Sequence, residues 1–490
     1  MARRQTHVNP PKKQDKEGQR IAASAAEGIL GAQTVESDIV AFPIEMLLST
    51  VLSEDSVALA FVRRHGMNVR FDHIKKLWYV FDGARWQPDR TGRAFAFARD
   101  LSREFAQREE DSIKRAVGKA SFCGGVERHA RRDQNVAVTS NVWDQDRLLL
   151  GVPGGVVDLK TGKLREADRG DYMTKQTAVA PASTIDCPRW LGFLHEATNG
   201  NVDLIEFLQR WAGYGLTGET YEEKLVFLYG PGGNGKTIFA NAISGILGEY
   251  ATISAMATLM ASPFDRHSEE IASLAGARMV LASETQAGRR WNEARVKQFT
   301  GGNSLRARLM RQNSFVFRPE FKLVVEGNHL PTIGHLNEAI RRRFLVVPFT
   351  HQPKLPDLLL EQKLKREWPG ILRWAVEGAL AWQKHGLGCP AVIADATSKY
   401  LSEQNALSVW LNEQCQIDRG NSSLRQSSQA LFDSWSAWAA AKRSNPGNQR
   451  QFNQWLRAEG FDGPVQIRFS DKSTKGFRGL ALKSANPESP

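Results

Sequence analysis

Cysteine is scarce in this chain of 490 residues. Its four cysteines, Cys123, Cys187, Cys389 and Cys415, are scattered with no C-x-x-C pair. That pattern argues against a zinc site or a disulfide framework and fits a reducing compartment. No apolar run approaches the roughly 18 residues that span a bilayer, and the N-terminus lacks an apolar signal core. The expectation is a soluble, cytoplasmic protein with no membrane partner. There is no internal repeat and no long low-complexity tract, which sets repeat arrays aside. Acidic residues are outnumbered, 53 against 65 Lys and Arg, leaving a net charge of +12 and a pI near 9.5. A basic surplus points to a polyanionic partner, nucleic acid first. With 41% hydrophobic and 24% charged residues, the composition is that of a globular protein, and the length calls for several domains.

What the chain does contain is a loop. Gly230, Pro231, Gly232, Gly233, Asn234, Gly235, Lys236 and Thr237 satisfy G-x-x-x-x-G-K-[ST]. Ahead runs Leu225-Val226-Phe227-Leu228-Tyr229, apolar and strand-like. Behind it, Ile238, Phe239, Ala242, Ile243, Ile246 and Leu247 fall on one helical face, with Gly248 as the cap. Strand, glycine loop and helix make a cradle for a nucleoside triphosphate, ATP with Mg²⁺. Backbone N–H groups and the helix N-terminus face the phosphates, Lys236 reaches the β and γ groups, and the Thr237 hydroxyl ligates the metal.

Hydrolysis needs further parts, and the chain offers them in order. Met279 to Ser283 is an apolar strand ending at Glu284, where an acid would polarise the attacking water and help hold Mg²⁺, partly through water. Such sites usually carry two adjacent acids, and Ser283 takes the first position. Lys322 to Gly327 is a second apolar strand, leading to Asn328, whose amide can sense the γ-phosphate. Arg341-Arg342-Arg343 cannot all share one helical face, so at least one is free to reach a neighbouring subunit's nucleotide. Between acid and asparagine lies a basic stretch with Lys297, Arg306, Arg308, Arg311 and Asn313. A β-hairpin with Arg311 to Ser314 at its tip would present positive charge to DNA phosphates without reading sequence.

The rest of the chain sorts by composition. Residues 1–42 form a basic tail expected to be disordered; 43–190 an α+β accessory domain; 191–350 the ATPase core; 351–415 a helical follow-on; and 416–490 a winged-helix-like DNA-binding domain. Within the accessory domain, Leu77–Phe81 and Arg85–Gln87 read as a hairpin about Asp82-Gly83, with Trp78 and Trp86 as core. Gly154–Leu159 and Thr161–Leu164 read as a second hairpin. Trp190 to Gly218 reads as helical. Near the end, Val465–Phe469 and Arg478–Leu482 are expected to pair as strands.

Taken together these motifs resemble superfamily 3 helicases, in particular the phage and plasmid primase-helicase group related to the poxvirus primase-helicase. GPGGNGKT resembles motif A; Arg278 to Thr285 motif B; Lys297 to Arg308 the B′ motif; Glu326 to Pro331 motif C. Ala339 to Phe344 is similar to the stretch carrying the arginine finger, which places the finger at Arg343. The accessory hairpins and Lys363–Leu387 are also similar to the family's pattern, so the likeness covers roughly residues 45–415. Asn303 stands where B′ usually has Asp, and Gly154 where the accessory stretch usually has Asn. No D-x-D with a His partner marks a primase site, and no room for a primase domain is expected before residue 45. The resemblance implies an α/β, AAA+-like P-loop core, hexameric rings of this chain, 3′ to 5′ translocation on single-stranded or forked DNA, and a replication role in a bacterial host. A separate primase or other replication proteins are candidate partners. Competing readings are a replication initiator that melts an origin, and a DNA-binding assembly protein that uses ATP without unwinding.

Overall fold

A computed structural model describes residues 51–261, 268–283, 290–308, 313–333, 337–442, 446–469 and 472–483. The basic tail, Glu284 and Arg311 therefore lie outside the described residues.

The first unit starts at Ser53, whose hydroxyl accepts the Ser56 N–H at 3.1 Å and caps α1 (Glu54–His65). Strands β1 (Val69–Asp72), β2 (Leu77–Phe81) and β3 (Trp86–Pro88) follow, then α2 (Arg93–Ala106), α3 (Asp111–Val117), α4 (Ala120–Ala130) and β4 (Ala137–Val138). The sheet order is β3-β2-β1-β4, and the first hairpin forms as expected, with Phe81 opposite Trp86. Asp82 accepts the N–H groups of Ala84 and Arg85, and Gly83 takes a φ of +103° that few other residues tolerate. Trp78 and Trp86 are buried, as expected of core.

The second hairpin is the outer part of a three-stranded sheet, β5 (Leu149–Val152), β6 (Gly155–Asp158) and β7 (Lys163–Arg165). Its side chains do not join the first unit. Leu150, Val156, Val157 and Leu159 pack in one core with Trp211 and Trp374, so packing divides the accessory segment well before residue 190. The helical stretch after it is two helices, α5 (Pro188–Ala197) and α6 (Val202–Leu216). Asn199 and Gly200 adopt left-handed φ of 54° and 73° between them, and Asn201 caps the second.

The central layer comprises β8 (Leu225–Tyr229), α7 (Lys236–Leu247), β9 (Ala251–Ile253), α8 (Ser268–Ala272), β10 (Met279–Ser283), α9 (Glu293–Thr300), β11 (Leu305–Arg308), β12 (Ser314–Phe317), β13 (Lys322–Gly327), α10 (Glu338–Arg341) and β14 (Phe344–Pro348). Five of these strands form a sheet in the order β14-β8-β13-β10-β9, every neighbouring pair parallel. Both faces of β14, β8, β13 and β10 are covered, which is why these four read as apolar runs, while β9 lies partly exposed at the edge. Alternate residues serve separate cores. Val226, Leu228, Val324 and Leu281 face the helices α6 and α7, whereas Leu225, Phe227, Val325 and Val280 face Trp291, Phe299 and Phe344. The pleat makes that division without any change in hydrophobicity along the strand.

Two long helices complete the core, α11 (Leu360–His385) and α12 (Ala391–Gln414). The first crosses α6 so closely that a Cβ on Gly213 would sit 2.0 Å from the Ala379 nitrogen. Glycine is thus required there by helix approach. Beyond lie β15 (Cys415–Ile417), β16 (Arg425–Ser427), α13 (Ser428–Ala441), α14 (Gln449–Ala458), β17 (Asp462–Phe469), β18 (Lys472–Arg478) and β19 (Leu480–Leu482), with their own core of Trp410, Leu431, Trp435, Phe452 and Phe477. The expected terminal strand pair is corrected here. Val465–Phe469 pairs with Lys472–Gly476, while Leu480–Leu482 pairs with β15. Gly479 divides the run: its φ is +73°, and it lies against Asp418 and Arg419 where a Cβ would come within 2.9 Å of backbone. Among the described residues no helix is long and apolar enough to cross a membrane.

Candidate functional site

All five parallel strands point their carboxyl ends the same way, and the chain reverses its order of addition about β8. Ligands in open parallel sheets bind at such a crevice. The glycine loop leaves β8 there, Asn328 follows β13, Ser283 ends β10, and Phe349 to Gln352 follow β14.

The loop is held in shape from several sides. Gly232, Gly233 and Gly235 take φ of +110°, +63° and +85°, which turn successive backbone groups inward. Gly230 is required for a different reason. A Cβ there would lie 1.8 Å from the Asn234 amide, which is buried and donates to the Phe349 carbonyl. The Gln352 amide donates to the Gly232 carbonyl at 2.7 Å. Thus the end of β14 braces the loop, a support with no motif of its own. Lys236 opens α7 and is 7% exposed. Its ammonium donates to Asn328 Oδ1 at 2.7 Å, Gly230 O at 3.2 Å and Asn234 Oδ1 at 3.3 Å. Burial pushes its pKa below the ordinary lysine value, and the nearby Glu326 carboxylate pulls the other way. Thr237 is exposed at the first turn of α7, beside Lys236.

Next to the loop opens a cavity of about 560 Å³, within the range of small-molecule sites. Gly233 to Ile238 form one wall, Arg189, Phe193 and Glu196 of α5 another, and His351 to Leu360 the third. His351 Nε2 lies 3.8 Å from Glu196 Oε1. None of the α5 or post-β14 residues was legible as site-forming, because their amphipathic spacing is that of any surface helix or loop.

The sequence-assigned residues fare differently. Asn328 and Lys236 meet. Glu284 is outside the described residues, directly after Ser283. Arg343, the expected finger, has its guanidinium buried in the single chain, donating to Thr300 Oγ1 at 3.0 Å, Ala339 O at 2.6 Å and Glu223 at 2.9 Å. Arg341 and Arg342 are exposed, although Arg342 also donates to Glu223 at 2.9 Å. Arg343→Ala is therefore expected to cost about 2 kcal/mol of stability, because it leaves a half-buried carboxylate and a buried hydroxyl short of partners. Arg342→Ala should stay within about 0.5 kcal/mol. Urea unfolding of both variants measures the difference; equal midpoints would contradict it.

The basic hairpin is present, with Leu305 opposite Phe317 and Arg308 opposite Ser314. Leu305 and Ala307 point into the core while Arg306 and Arg308 are exposed, so positive charge occupies one face of the ribbon. Lys297 lies half-buried on α9 just before it, and Asn313 is exposed at the start of the return strand. The tip carrying Arg311 is outside the described residues.

Comparison with known proteins falls on the same two regions. Residues 58–199 match the family described as D5 N terminal like, and residues 228–343 match a family of unknown function, DUF5906. The chain is 27% identical over 282 residues to "Putative helicase L207/L206" of Acanthamoeba polyphaga mimivirus, covering 52% of this chain and 29% of that protein. It is 31% identical over 149 residues to "Putative helicase 022R" of Frog virus 3 (isolate Goorha), covering 29% and 15%. The chain thus spans less than a third of either relative. Among solved structures, "The apo structure of NrS-1 C terminal region (305-718)" aligns with a TM-score of 0.46 at 10% identity, over 88% of this chain and 100% of that one. The likeness read from the motifs is borne out: this chain is similar to viral proteins named putative helicases, and it carries a D5 N terminal like segment ahead of the glycine loop.

Proposed function

We propose that this chain is the ATP-driven helicase motor of a phage or plasmid replication system, working as a ring of copies, hexameric by family resemblance, on single-stranded or forked DNA. One observation carries the reading: the loop lysine and the asparagine just after β13 touch, at 2.7 Å, in the crevice where the parallel strands end. That contact brings a phosphate-binding group and a phosphate-sensing group together from positions 92 residues apart. The parallel sheet and its covering helices support an AAA+-like P-loop core.

Within that reading the residues divide the work. Backbone N–H groups of Gly232 to Gly235 and the Lys236 ammonium hold the phosphates of ATP, and the adjacent cavity takes the nucleoside. Oxygen donors suit Mg²⁺, and the Thr237 hydroxyl and nearby carboxylates are such donors. The metal would offset charge on the β and γ phosphates. Glu284 polarises water, and Asn328 registers the terminal phosphate. The arginine that completes a neighbour's site comes from the Arg341–Arg343 run, Arg343 by family resemblance, which would have to leave Glu223 to do so. Hydrolysis would then move the Arg306–Arg308 ribbon against the DNA backbone. The test is ATP turnover with and without DNA, measured beside strand separation on a forked duplex. A motor couples the two; turnover without unwinding would overturn the helicase reading and leave an assembly ATPase.

Replacing Arg308 and Arg311 with Ala should weaken single-stranded DNA binding by about tenfold, with DNA-independent turnover retained. The salt slope should fall by about 0.7 for each phosphate that is no longer neutralised. Filter binding across a salt series reads this directly. An unchanged slope would return the ribbon to a structural role.

The initiator reading draws on the other end of the chain. Arg468, Lys475 and Arg478 are exposed on the β17–β18 ribbon behind α13 and α14, the order of a winged helix. Preference for one duplex sequence over random DNA, lost on removal of residues 416–490, would favour it.

A further inference from the structure

The first of the two acids expected at the end of β10 is replaced by Ser283, and the neighbouring strand supplies a carboxylate in its place. In the parallel register Ser283 sits directly beside Glu326 of β13, on the same face of the sheet. Its hydroxyl donates to Glu326 Oε1 at 2.6 Å, the short distance of a bond to an ionised carboxylate. The other oxygen, Oε2, is buried and has no hydrogen-bond partner among the described residues. A carboxylate kept only for structure would have both oxygens satisfied, since an unpaired buried acceptor is costly. The surroundings say what it faces. Asn328, two residues further along the chain, accepts from the Lys236 ammonium, and Glu326 itself acts electrostatically on that ammonium.

We propose that Glu326, oriented by the Ser283 hydroxyl, is a metal-holding carboxylate of the nucleotide site, carried on β13 instead of at the end of β10. The inference rests on the nucleotide-binding reading above. Glu326 Oε2 would take a hard divalent cation or one of its waters, together with Thr237. Ser283 is a positioning residue: it consumes one carboxylate oxygen and fixes the direction of the other. No bond is made or broken by this pair; it sets how the site responds to Mg²⁺.

The experiment uses the full chain and a fluorescent N-methylanthraniloyl ADP, titrated with Mg²⁺ and in its absence. Glu326→Gln should shift the Mg²⁺ midpoint upward by about tenfold or more. Metal-free ADP should bind that variant as tightly as the unaltered chain or tighter, because a negative charge facing the phosphates has gone. Ser283→Ala should shift the midpoint in the same direction by a smaller factor. Ser283→Asp in the Glu326→Gln background should bring it back. Thermal unfolding of each variant separates a lost fold from a lost metal, and Ser283→Ala carries the test if Glu326→Gln does not fold. A Mg²⁺ midpoint within about twofold of the unaltered chain in folded Glu326→Gln overturns the proposal, as does an equal loss of metal-free and metal-bound affinity. If the unaltered chain binds no nucleotide under either condition, the cradle reading itself fails, an outcome distinct from the other two.

Discussion

Lys236→Ala is expected to lower ATP turnover by at least about 10²-fold, the loss typical of removing one charged donor aimed at a transition state. The size follows from where the ammonium is. It is almost fully enclosed, and its three oxygen partners, Asn328, Asn234 and Gly230, hold it at the mouth of the loop. Among the described residues no other Lys or Arg lines the loop side of the cavity; Arg189 is on the α5 wall. Truncation therefore removes the only lysine in the loop and at the same time unties Asn328. Phosphate release under saturating Mg-ATP measures the effect, with circular dichroism confirming the fold. Turnover within a few-fold of the unaltered chain would reject the cradle. Asn328→Ala should show part of the same loss, since it frees the lysine from one of its anchors.

Arg278→Ala is expected to cost about 3–5 kcal/mol of stability, the range for removing one partner from a buried charged network. Arg278 immediately precedes β10, at the opposite end from the nucleotide crevice, and is 1% exposed. Its two terminal nitrogens donate to Leu216 O at 2.6 Å and Leu149 O at 2.8 Å, and its guanidinium lies 4.5 Å from the centre of the Tyr250 ring. One side chain thus ties the core sheet to the end of α6 and to the accessory sheet. Arg278→Lys should recover only part of the loss, because an ammonium cannot span both carbonyls with the fork geometry of arginine. Urea unfolding followed by tryptophan fluorescence reads the change, and a loss below about 1 kcal/mol would mean that water replaces the arginine.

The same cluster gives that loss a pH dependence. Burial raises the pKa of Glu320, and Arg278 is the first charge that opposes the rise. Burial also drives Lys322 well below its ordinary value, with Arg278 adding to the depression. For Glu320, a folded pKa above the unfolded one favours the native state below the unfolded value and loses that advantage as pH rises through the folded value. Removing Arg278 lifts Glu320 further, so the penalty grows as pH climbs from the ordinary carboxylate range upward. For Lys322, removing a neighbouring cation relieves a cost present at low pH, which acts in the same direction. Arg278→Ala should accordingly be tolerated better in acid than at neutral pH. The opposite slope would show that neither group feels the arginine.

Legibility in the sequence followed the range of the interaction. The loop, the strand before it and the helix after it were readable because each depends on neighbours a few residues away. The parallel strands β8, β10 and β13 were equally readable as apolar runs, since burial on both faces leaves no alternation to confuse, whereas β9, short and partly exposed, offers no such run. The break in the α5–α6 stretch was missed, although Asn199-Gly200-Asn201 carries the turn chemistry that makes it. Gly479 likewise held the signal for separating β18 from β19, but only its contact with Asp418 and Arg419 shows why the chain must turn.

By itself, the order of residues determined that a glycine loop, an acid after an apolar strand, an asparagine and a run of arginines would occur along one core, because covalent spacing and pleat period already dictate them. Which strand stands beside which was decided only in three dimensions. Parallel pairing placed Glu326 next to Ser283 and brought Asn328 to Lys236, while hydrogen bonds to Thr300 and Glu223 hold the Arg343 guanidinium below the surface of the single chain. Sequence periodicity reports which face of an element is buried. It carries no record of the partner across a sheet, and that partner sets the charge, the burial and the reach of every side chain in this site.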